Sequence, residues 1–206
     1  MISVDIEKKL KTYQGEQLLK INRQFPPGSI TKICGPSGAG KTTFLKIVAG
    51  FIKPEKGTIT AENVTWLDTG SNIFLSPQKR MAGFVFQDYA LFPNMTLQQH
   101  LEYATNDTAW IKRLLSIGKL DNLVTHKPQY LSGGQQQRLA ILRALAIKPK
   151  LLLMDEPFSA IDQKMKTALI NNLKIVFDEL GATVLIVSHN PQELEGLPGE
   201  EINIHY

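Results

Sequence analysis

A glycine-rich segment that ends in a lysine and a threonine constrains the fold of this chain more than any other feature. It reads Gly35-Pro36-Ser37-Gly38-Ala39-Gly40-Lys41-Thr42, with an apolar, strand-like run at residues 29–34 before it and a helical pattern over residues 42–49 after it. Glycines let the backbone curl so that successive N–H groups face an anion, and the helix N-terminus adds its positive dipole end. The segment therefore predicts a phosphate-binding loop between a strand and a helix.

The residues that close this loop fit the phosphates of a nucleotide. Lys41 can reach the β- and γ-phosphates, the Thr42 hydroxyl can ligate Mg²⁺, and Thr43 can add a contact nearer the α-phosphate. A flexible glycine turn in front of a helix is the alternative, and the strand and helix patterns on either side disfavour it.

Two adjacent acids follow a second apolar run. Residues 151–154 are all apolar, which is typical of a strand buried on both faces of a parallel sheet, and Asp155 and Glu156 come next. Ligands of doubly wound sheets bind beyond the carboxyl ends of the strands. We therefore predict that Asp155 holds Mg²⁺ together with Thr42, and that Glu156 polarises a water for attack on the γ-phosphate.

Gln87 and His189 follow two other predicted strands, at residues 83–86 and 183–187. A glutamine at that position can contact Mg²⁺ or the attacking water, and a histidine can donate a hydrogen bond to the γ-phosphate. Each could also be an ordinary structural polar residue. Their shared position at strand ends favours a function.

Strand and helix patterns alternate along the chain, which indicates an α/β fold with a largely parallel sheet. We predict one domain over residues 1–206, with a nucleotide-binding core at 1–87 and 145–206 and a helical insertion at 88–144. The remaining predicted strands cover residues 2–6, 18–22 and 201–205, and residues 58–67 have a β-rich composition. The remaining helices cover 96–104, 107–117, 135–147 and 162–180, with Thr96 and Asp107 as the predicted N-caps of the first two.

The sequence Leu131-Ser132-Gly133-Gly134-Gln135 offers a second anion-binding turn, because it precedes a predicted helix. One nucleotide does not need two phosphate cradles. We therefore expect this turn to serve a nucleotide held by a second copy of the chain.

Taken together, these motifs resemble the ATP-binding cassette (ABC) ATPases over nearly the whole chain, and they occur in that family's order. The resemblance implies a P-loop NTPase fold with a mostly parallel sheet flanked by helices, a small N-terminal antiparallel β subdomain and an inserted helical signature subdomain. It rests on the phosphate loop, Gln87, residues 131–135, residues 151–156, Asp162 in Ser159-Ala160-Ile161-Asp162, and His189.

The resemblance also implies roles for individual residues. ATP would be shared in a head-to-tail, ATP-dependent homodimer, with Glu156 as the catalytic base and His189 as the γ-phosphate switch. Asp162 would communicate across the dimer, and Tyr13 resembles the aromatic residue that stacks on adenine, although an ordinary strand aromatic fits its position too. The signature residues that would cap the partner's ATP are Ser132, Gly133, Gly134 and Gln135.

Residues 75–80, 83–88 and 91–93 are similar to the ATPases of bacterial importers, most closely those of molybdate-type oxyanion importers. This implies a motor subunit that drives uptake through integral membrane permease subunits, with residues 89–96 lining the permease groove, and a separate solute-binding protein. We expect it in the cytoplasm, peripheral on the inner face of the cell membrane. The short segment after His189 predicts no C-terminal oxyanion-binding regulatory domain of the kind that subgroup often carries.

Composition narrows the alternatives. A hydrophobic content of 43% excludes wholesale disorder, and the single Cys34 excludes an internal disulfide framework. A net charge of +4 is only weak support for binding to nucleic acid, so we do not expect nucleic acid as a partner. An importer ATPase for another small solute and a soluble non-transport ABC ATPase remain as alternatives. Soluble ABC ATPases usually carry two cassettes or a long coiled coil, and the sequence has neither.

Overall fold

Two sheets organise the computed structural model of the chain, which describes residues 1–12 and 15–204. The strands are β1 (Ile2–Thr12), β2 (Gly15–Phe25), β3 (Ile30–Cys34), β4 (Lys56–Ala61), β5 (Val64–Asp68), β6 (Ile73–Phe74), β7 (Gly83–Val85), β8 (Leu151–Asp155), β9 (Thr183–Val187) and β10 (Glu200–Asn203). The α-helices are α1 (Lys41–Ala49), α2 (Pro77–Arg80), α3 (Leu97–Glu102), α4 (Thr108–Gly118), α5 (Gly133–Ala146) and α6 (Gln163–Leu180). Short 3₁₀ helices span Asp121–Leu123, Pro128–Tyr130 and Pro191–Leu194.

The parallel sheet has the strand order β10-β3-β9-β8-β7 and confirms the predicted α/β architecture. Its strands β8 and β9 are buried along their whole length, as expected where both faces are covered. Asp155 pairs with Val187, and Val85 pairs with Met154. Because these strands run in the same direction, the residues that follow them emerge together at one edge of the sheet.

The antiparallel sheet has the order β2-β1-β4-β5-β6. Strands β1 and β2 pair in register from Ile2 with Phe25 to Thr12 with Gly15, so both are longer than the predicted strands. The predicted ranges cover the alternating buried residues Ile2, Val4 and Ile6 of β1 and Leu19 and Ile21 of β2. The part of the pair nearer its turn is mostly polar and carries no such alternation. The two-residue β6 and the four-residue α2 were not predicted, since elements this short carry no periodic signal.

Two apolar clusters cover the two faces of the parallel sheet. One packs the antiparallel sheet and α1 against it and includes Phe44 and Leu67. The other packs α4, α5 and α6 against the opposite face and includes Leu114, Leu142 and Leu173. Among the described residues, no helix combines the length and apolarity that crossing a bilayer requires.

Side chains cap the N-termini of the helices in the inserted region. Thr96 and Asp107 cap α3 and α4 by accepting hydrogen bonds from Gln99 N and Trp110 N, as their sequence positions predict. Helix α5 begins at Gly133 rather than at the predicted residue 135. The difference arises because Ser132 is the N-cap and forms a reciprocal capping box with Gln135, so that Gly133 and Gly134 lie in the first turn of the helix.

Arg80 ties α1 to the antiparallel sheet through a buried guanidinium group. Its side chain donates to Ile47 O and Val48 O at the end of α1 (2.9 and 2.7 Å), to Leu75 O (2.9 Å) and to Trp66 O (3.3 Å). Burial lowers the pKa of Arg80 to about 10. The charge is therefore retained at neutral pH. It gives Val48 O and Leu75 O a charged donor, and it adds a second hydrogen bond to Ile47 O and Trp66 O, which already accept from Gly50 N and Leu75 N.

We predict that Arg80→Met lowers the free energy of unfolding by about 3 kcal/mol, because several buried carbonyls lose a charged donor at once. At about 2–4 °C per kcal/mol, the melting temperature falls by about 6–12 °C. The neighbouring Lys79 is exposed, and Lys79→Ala serves as the control, with a change within about 0.5 kcal/mol. Thermal and urea unfolding measure both variants, and equal stabilities would contradict the assigned role.

Candidate functional site

The predicted phosphate loop connects β3 to α1 and adopts a conformation that requires its glycines. Gly38 and Gly40 have φ angles of 84° and 89°, in the left-handed region, and Gly40 is the N-cap of α1. A Cβ atom on Gly40 would lie 2.6 Å from Leu10 Cδ1, because the loop packs against the antiparallel sheet. The backbone N–H groups at the start of α1 therefore face the open side of the loop.

Lys41 lies inside the curve of this loop. Its side chain donates to Gly35 O at 2.7 Å and to Pro36 O at 2.9 Å, and the residue is only 7% exposed. The ammonium group is therefore held among the loop carbonyls, where a phosphate on the N–H groups would meet it. Ala39 is buried in the adjoining core rather than lining the pocket.

A hydrogen bond joins the loop to the first of the two strand-end acids. The Thr42 hydroxyl donates to Asp155 Oδ1 at 3.1 Å, although the two residues are far apart in sequence. Burial raises the pKa of the Asp155 carboxyl, whereas the Thr42 hydroxyl and the charges of Lys46 and Lys41 oppose that shift. A hydroxyl and a carboxylate this close are the hard oxygen donors that Mg²⁺ prefers, so these two side chains fit the predicted metal.

Glu156 and His189 form the other side of the site. His189 Nδ1 lies 2.9 Å from Glu156 Oε1, with the histidine side chain 58% exposed and the glutamate side chain 8% exposed. Glu156 Oε2 is buried, and no described atom hydrogen-bonds to it. The pair therefore combines a nearly buried carboxylate, with one oxygen still free to accept a proton, and an exposed imidazole.

One pocket collects most of the predicted catalytic and phosphate-binding side chains. Gln87 contributes to it from the end of β7, and Thr42 and Gln87 also line the adjoining cleft that contains Asp155. The predicted residues that line the pocket are Ser37, Gly38, Gly40, Lys41, Thr42, Thr43, Gln87, Glu156 and His189. Tyr13 lies outside the described residues.

The signature residues line a second pocket. Ser132, Gly133 and Gly134 line it together with Asp162, the N-cap of α6. Of the residues described, none lines both this pocket and the phosphate pocket. Within one chain, Asp162 therefore lies beside the signature residues rather than beside the phosphate loop. The Gln135 side-chain amide accepts from Ser132 N in the capping box.

The segment after Gln87 is held by two side chains of the inserted region. Arg143 on α5 donates to Tyr89 O and Ala90 O at 3.0 and 2.6 Å. His100 is fully buried and accepts a hydrogen bond from Phe92 N at 2.9 Å. Burial lowers the pKa of His100, in keeping with a neutral ring that accepts at Nε2. The segment is therefore attached to the helical insertion.

Sequence reasoning missed an ion pair beside His189. Lys166 Nζ on α6 lies 3.0 Å from Glu193 Oε1, and both side chains are largely buried. Ser188 Oγ, one residue before His189, lies 3.3 Å from Glu193 Oε2 and 3.0 Å from Asn190 O. The loop that carries His189 is therefore fastened to α6. A lysine in a helix is typical of an exposed surface, so no sequence signal marked this contact.

Comparisons with known proteins show what this chain resembles. The family model of the ABC transporters matches residues 18–159. The sulfate/thiosulfate import ATP-binding protein CysA of Mesostigma viride is 41% identical over 92% of this chain and 54% of its own length. The molybdenum import ATP-binding protein ModC of Pseudomonas fluorescens is 38% identical over 94% of this chain and 56% of its own. The chain thus spans about half the length of these curated relatives.

A solved structure extends the likeness to the fold. It is the dimeric, post-hydrolysis state of the ATP-binding cassette MJ0796 with ADP and Pi, which has a TM-score of 0.82, 32% sequence identity, and coverage of 99% of this chain and 94% of that one. The range that the family model matches, residues 18–159, includes the phosphate loop, the signature residues Ser132 to Gln135, Asp155 and Glu156. From its sequence and its structure, the chain belongs to the ABC transporter family.

Proposed function

We propose that this protein is the ATP-hydrolysing motor subunit of an ABC importer. One observation carries the proposal: the phosphate loop with Lys41, the Thr42–Asp155 pair and the Glu156–His189 pair meet at a single edge of the parallel sheet. A fold that only bound nucleotide would not need a nearly buried carboxylate beside the phosphate loop. A soluble ABC ATPase would have the same site, but the importer relatives favour transport.

Each side chain has a task in this proposal. The loop N–H groups and Lys41 bind the β- and γ-phosphates, while Thr42 and Asp155, with Gln87 nearby, hold Mg²⁺. When bound, the metal neutralises phosphate charge. Glu156 orients the attacking water and accepts its proton at the carboxylate. His189, with both ring nitrogens protonated, donates to the γ-phosphate from Nε2 while Nδ1 donates to Glu156 Oε1. The contact between His189 and Glu156 keeps both groups beside the same phosphate.

The second pocket supports a head-to-tail homodimer. Ser132 and the N–H groups at the start of α5 form an anion-binding turn that lies apart from the chain's own phosphate loop. ATP bound to the phosphate loop of a partner chain would contact that turn, and Asp162 would then lie at the boundary between the subunits. Residues 88–144 would act as the signature subdomain, and 1–87 with 145–206 as the nucleotide-binding core. The cassette MJ0796 is a dimer in its ADP- and Pi-bound state.

The segment after Gln87 is the surface that we assign to permease subunits. Phe92 and Tyr103 expose aromatic surface there, and Arg143 holds the backbone of Tyr89 and Ala90 to α5. Gln87 lines both the nucleotide pocket and the adjoining cleft that includes Ala90. Docking at a permease would place the protein in the cytoplasm, on the inner face of the membrane, and a separate solute-binding protein would deliver the substrate.

An oxyanion such as molybdate is the proposed cargo, because the relatives carry import names for molybdenum and for sulfate and thiosulfate. Expression in bacteria that lack the ATPase of a molybdate importer, and separately of a sulfate importer, tests this choice. Restored molybdate uptake supports molybdate. Restored sulfate uptake alone would shift the cargo to sulfate.

We predict that Glu156→Gln lowers the rate of MgATP hydrolysis at least about 100-fold, which is the range for losing a general base. Affinity for ATP stays within a few-fold, because Lys41 and the loop are unchanged. Phosphate release measures the first quantity and a fluorescent ATP analogue the second. Turnover close to that of the wild type in Glu156→Gln would remove Glu156 from the mechanism.

We predict that Lys41→Ala weakens ATP binding at least about tenfold and abolishes turnover, because a charged hydrogen bond contributes about 1.5–3 kcal/mol. Lys112 is exposed on α4, away from both pockets, so Lys112→Ala removes the same charge as a matched control. Calorimetric titration with MgATP compares the three proteins. If Lys41→Ala and Lys112→Ala bind ATP equally well, Lys41 does not contact the phosphates.

A further inference from the structure

Glu156 occupies a backbone conformation that needs support. Its φ angle is 50°, in the left-handed region that residues other than glycine rarely adopt. Such a conformation persists only where the surrounding structure holds it, and it directs the side chain differently from an extended residue at the same position. The placement of the Glu156 carboxylate therefore depends on whatever fixes the two peptide groups on either side of it.

Both peptide groups are fixed by hydrogen bonds. Glu156 N donates to Val187 O at 3.0 Å, which extends the pairing of β8 with β9. Glu156 O accepts from Gln137 Nε2 at 2.8 Å and from the Ser159 hydroxyl at 3.2 Å. The sheet holds one side of the residue, and a side chain from α5 holds the other.

Gln137 uses its whole amide on this segment. The residue is 1% exposed, Nε2 also lies 3.2 Å from Ser159 Oγ, and Oε1 accepts from Ala160 N at 2.8 Å. A buried amide is costly unless its donors and acceptors are paired, and this one is paired entirely with residues 156–160. A helix that needed only to fill space would have an apolar side chain at this position.

The same face of α5 reaches the second pocket. Gly134 lies three residues before Gln137, so both residues face the same neighbour. A Cβ atom on Gly134 would come within 2.9 Å of Ala160 O, the other side of the peptide segment that Gln137 holds. Helix α5 therefore connects the signature turn to the backbone of Glu156 by direct contact.

We propose that Gln137 is a positioning residue: its amide holds the backbone of Glu156, and so keeps the carboxylate of Glu156 in the phosphate pocket and ties it to the signature helix. This assignment rests on the proposed ATPase function. Gln137 acts through Glu156, and it lines neither of the two pockets.

Two variants of similar size separate the donor from the acceptor. Gln137→Met removes both, while Gln137→Glu keeps an acceptor for Ala160 N but replaces the donor to Glu156 O with a carboxylate oxygen. We expect kcat to fall at least tenfold in both, with the KM for ATP changed less than threefold, because Lys41 and Thr42 are untouched. Equal losses in the two variants assign the effect to the Nε2 donor, whose shorter hydrogen bond is the one to Glu156 O.

A stability control distinguishes positioning from a general weakening of the fold. Asp107→Ala removes the cap of α4, far from both pockets, and should lower the melting temperature while leaving kcat per folded molecule unchanged. Retention of kcat within twofold by folded Gln137→Met would overturn the proposal. So would an equal loss of kcat in Asp107→Ala.

Hydrogen exchange of the backbone amides of residues 156–161 gives a readout that needs no ATP. We expect exchange in this segment to be at least tenfold faster in Gln137→Met than in the wild type, and unchanged in Asp107→Ala. If the wild type shows no MgATP turnover, the proposed function fails, and exchange alone decides whether Gln137 holds the segment. Unchanged exchange in Gln137→Met would overturn the proposal in either case.

Discussion

The parallel alignment of the central strands is the constraint on which the rest of the structure depends. Strands β7, β8 and β9 run side by side and end at one level, and β3 joins them through β9. A parallel sheet places its chemistry at the carboxyl ends of its strands, because the chain turns there into loops and helix N-termini. The bond between Thr42 and Asp155 and the contact between His189 and Glu156 both cross that edge.

The inserted helical region is more than a second layer over this sheet. Helix α5 begins with the signature turn, and further along it contributes Gln137 to the backbone of Glu156 and Arg143 to the segment after Gln87. One helix therefore touches the candidate dimer surface, the candidate base and the candidate permease surface. In the proposed motor, a shift of α5 relative to the sheet would change its contacts at all three places.

Sequence reasoning predicted the features that local physics determines. The glycine pattern of the phosphate loop, the apolar runs of β8 and β9 and the caps Thr96 and Asp107 depend on residues close together in the chain, and the structure contains each of them. It also placed Asp155 and Glu156 at a strand end, since an apolar run that stops at two acids leaves few other arrangements.

What the sequence did not reveal depends on contacts between distant residues. Gln137 and Lys166 occur in helical patterns where polar residues are normally exposed, and only the packed structure shows them buried against residues 156–160 and Glu193. Arg80 is a further case, because its acceptor carbonyls come from α1, from β5 and from the residue after β6. The grouping of Asp162 with the signature turn likewise depends on how α5 and α6 pack.

The central claim is that each chain holds two incomplete sites which a second copy completes. Light scattering of the Glu156→Gln variant, with and without MgATP, tests this most directly, because bound ATP then remains intact between the subunits. We expect a mass of 23.0 kDa without nucleotide and twice that value with MgATP. A mass that stays at one chain while ATP is bound would contradict it.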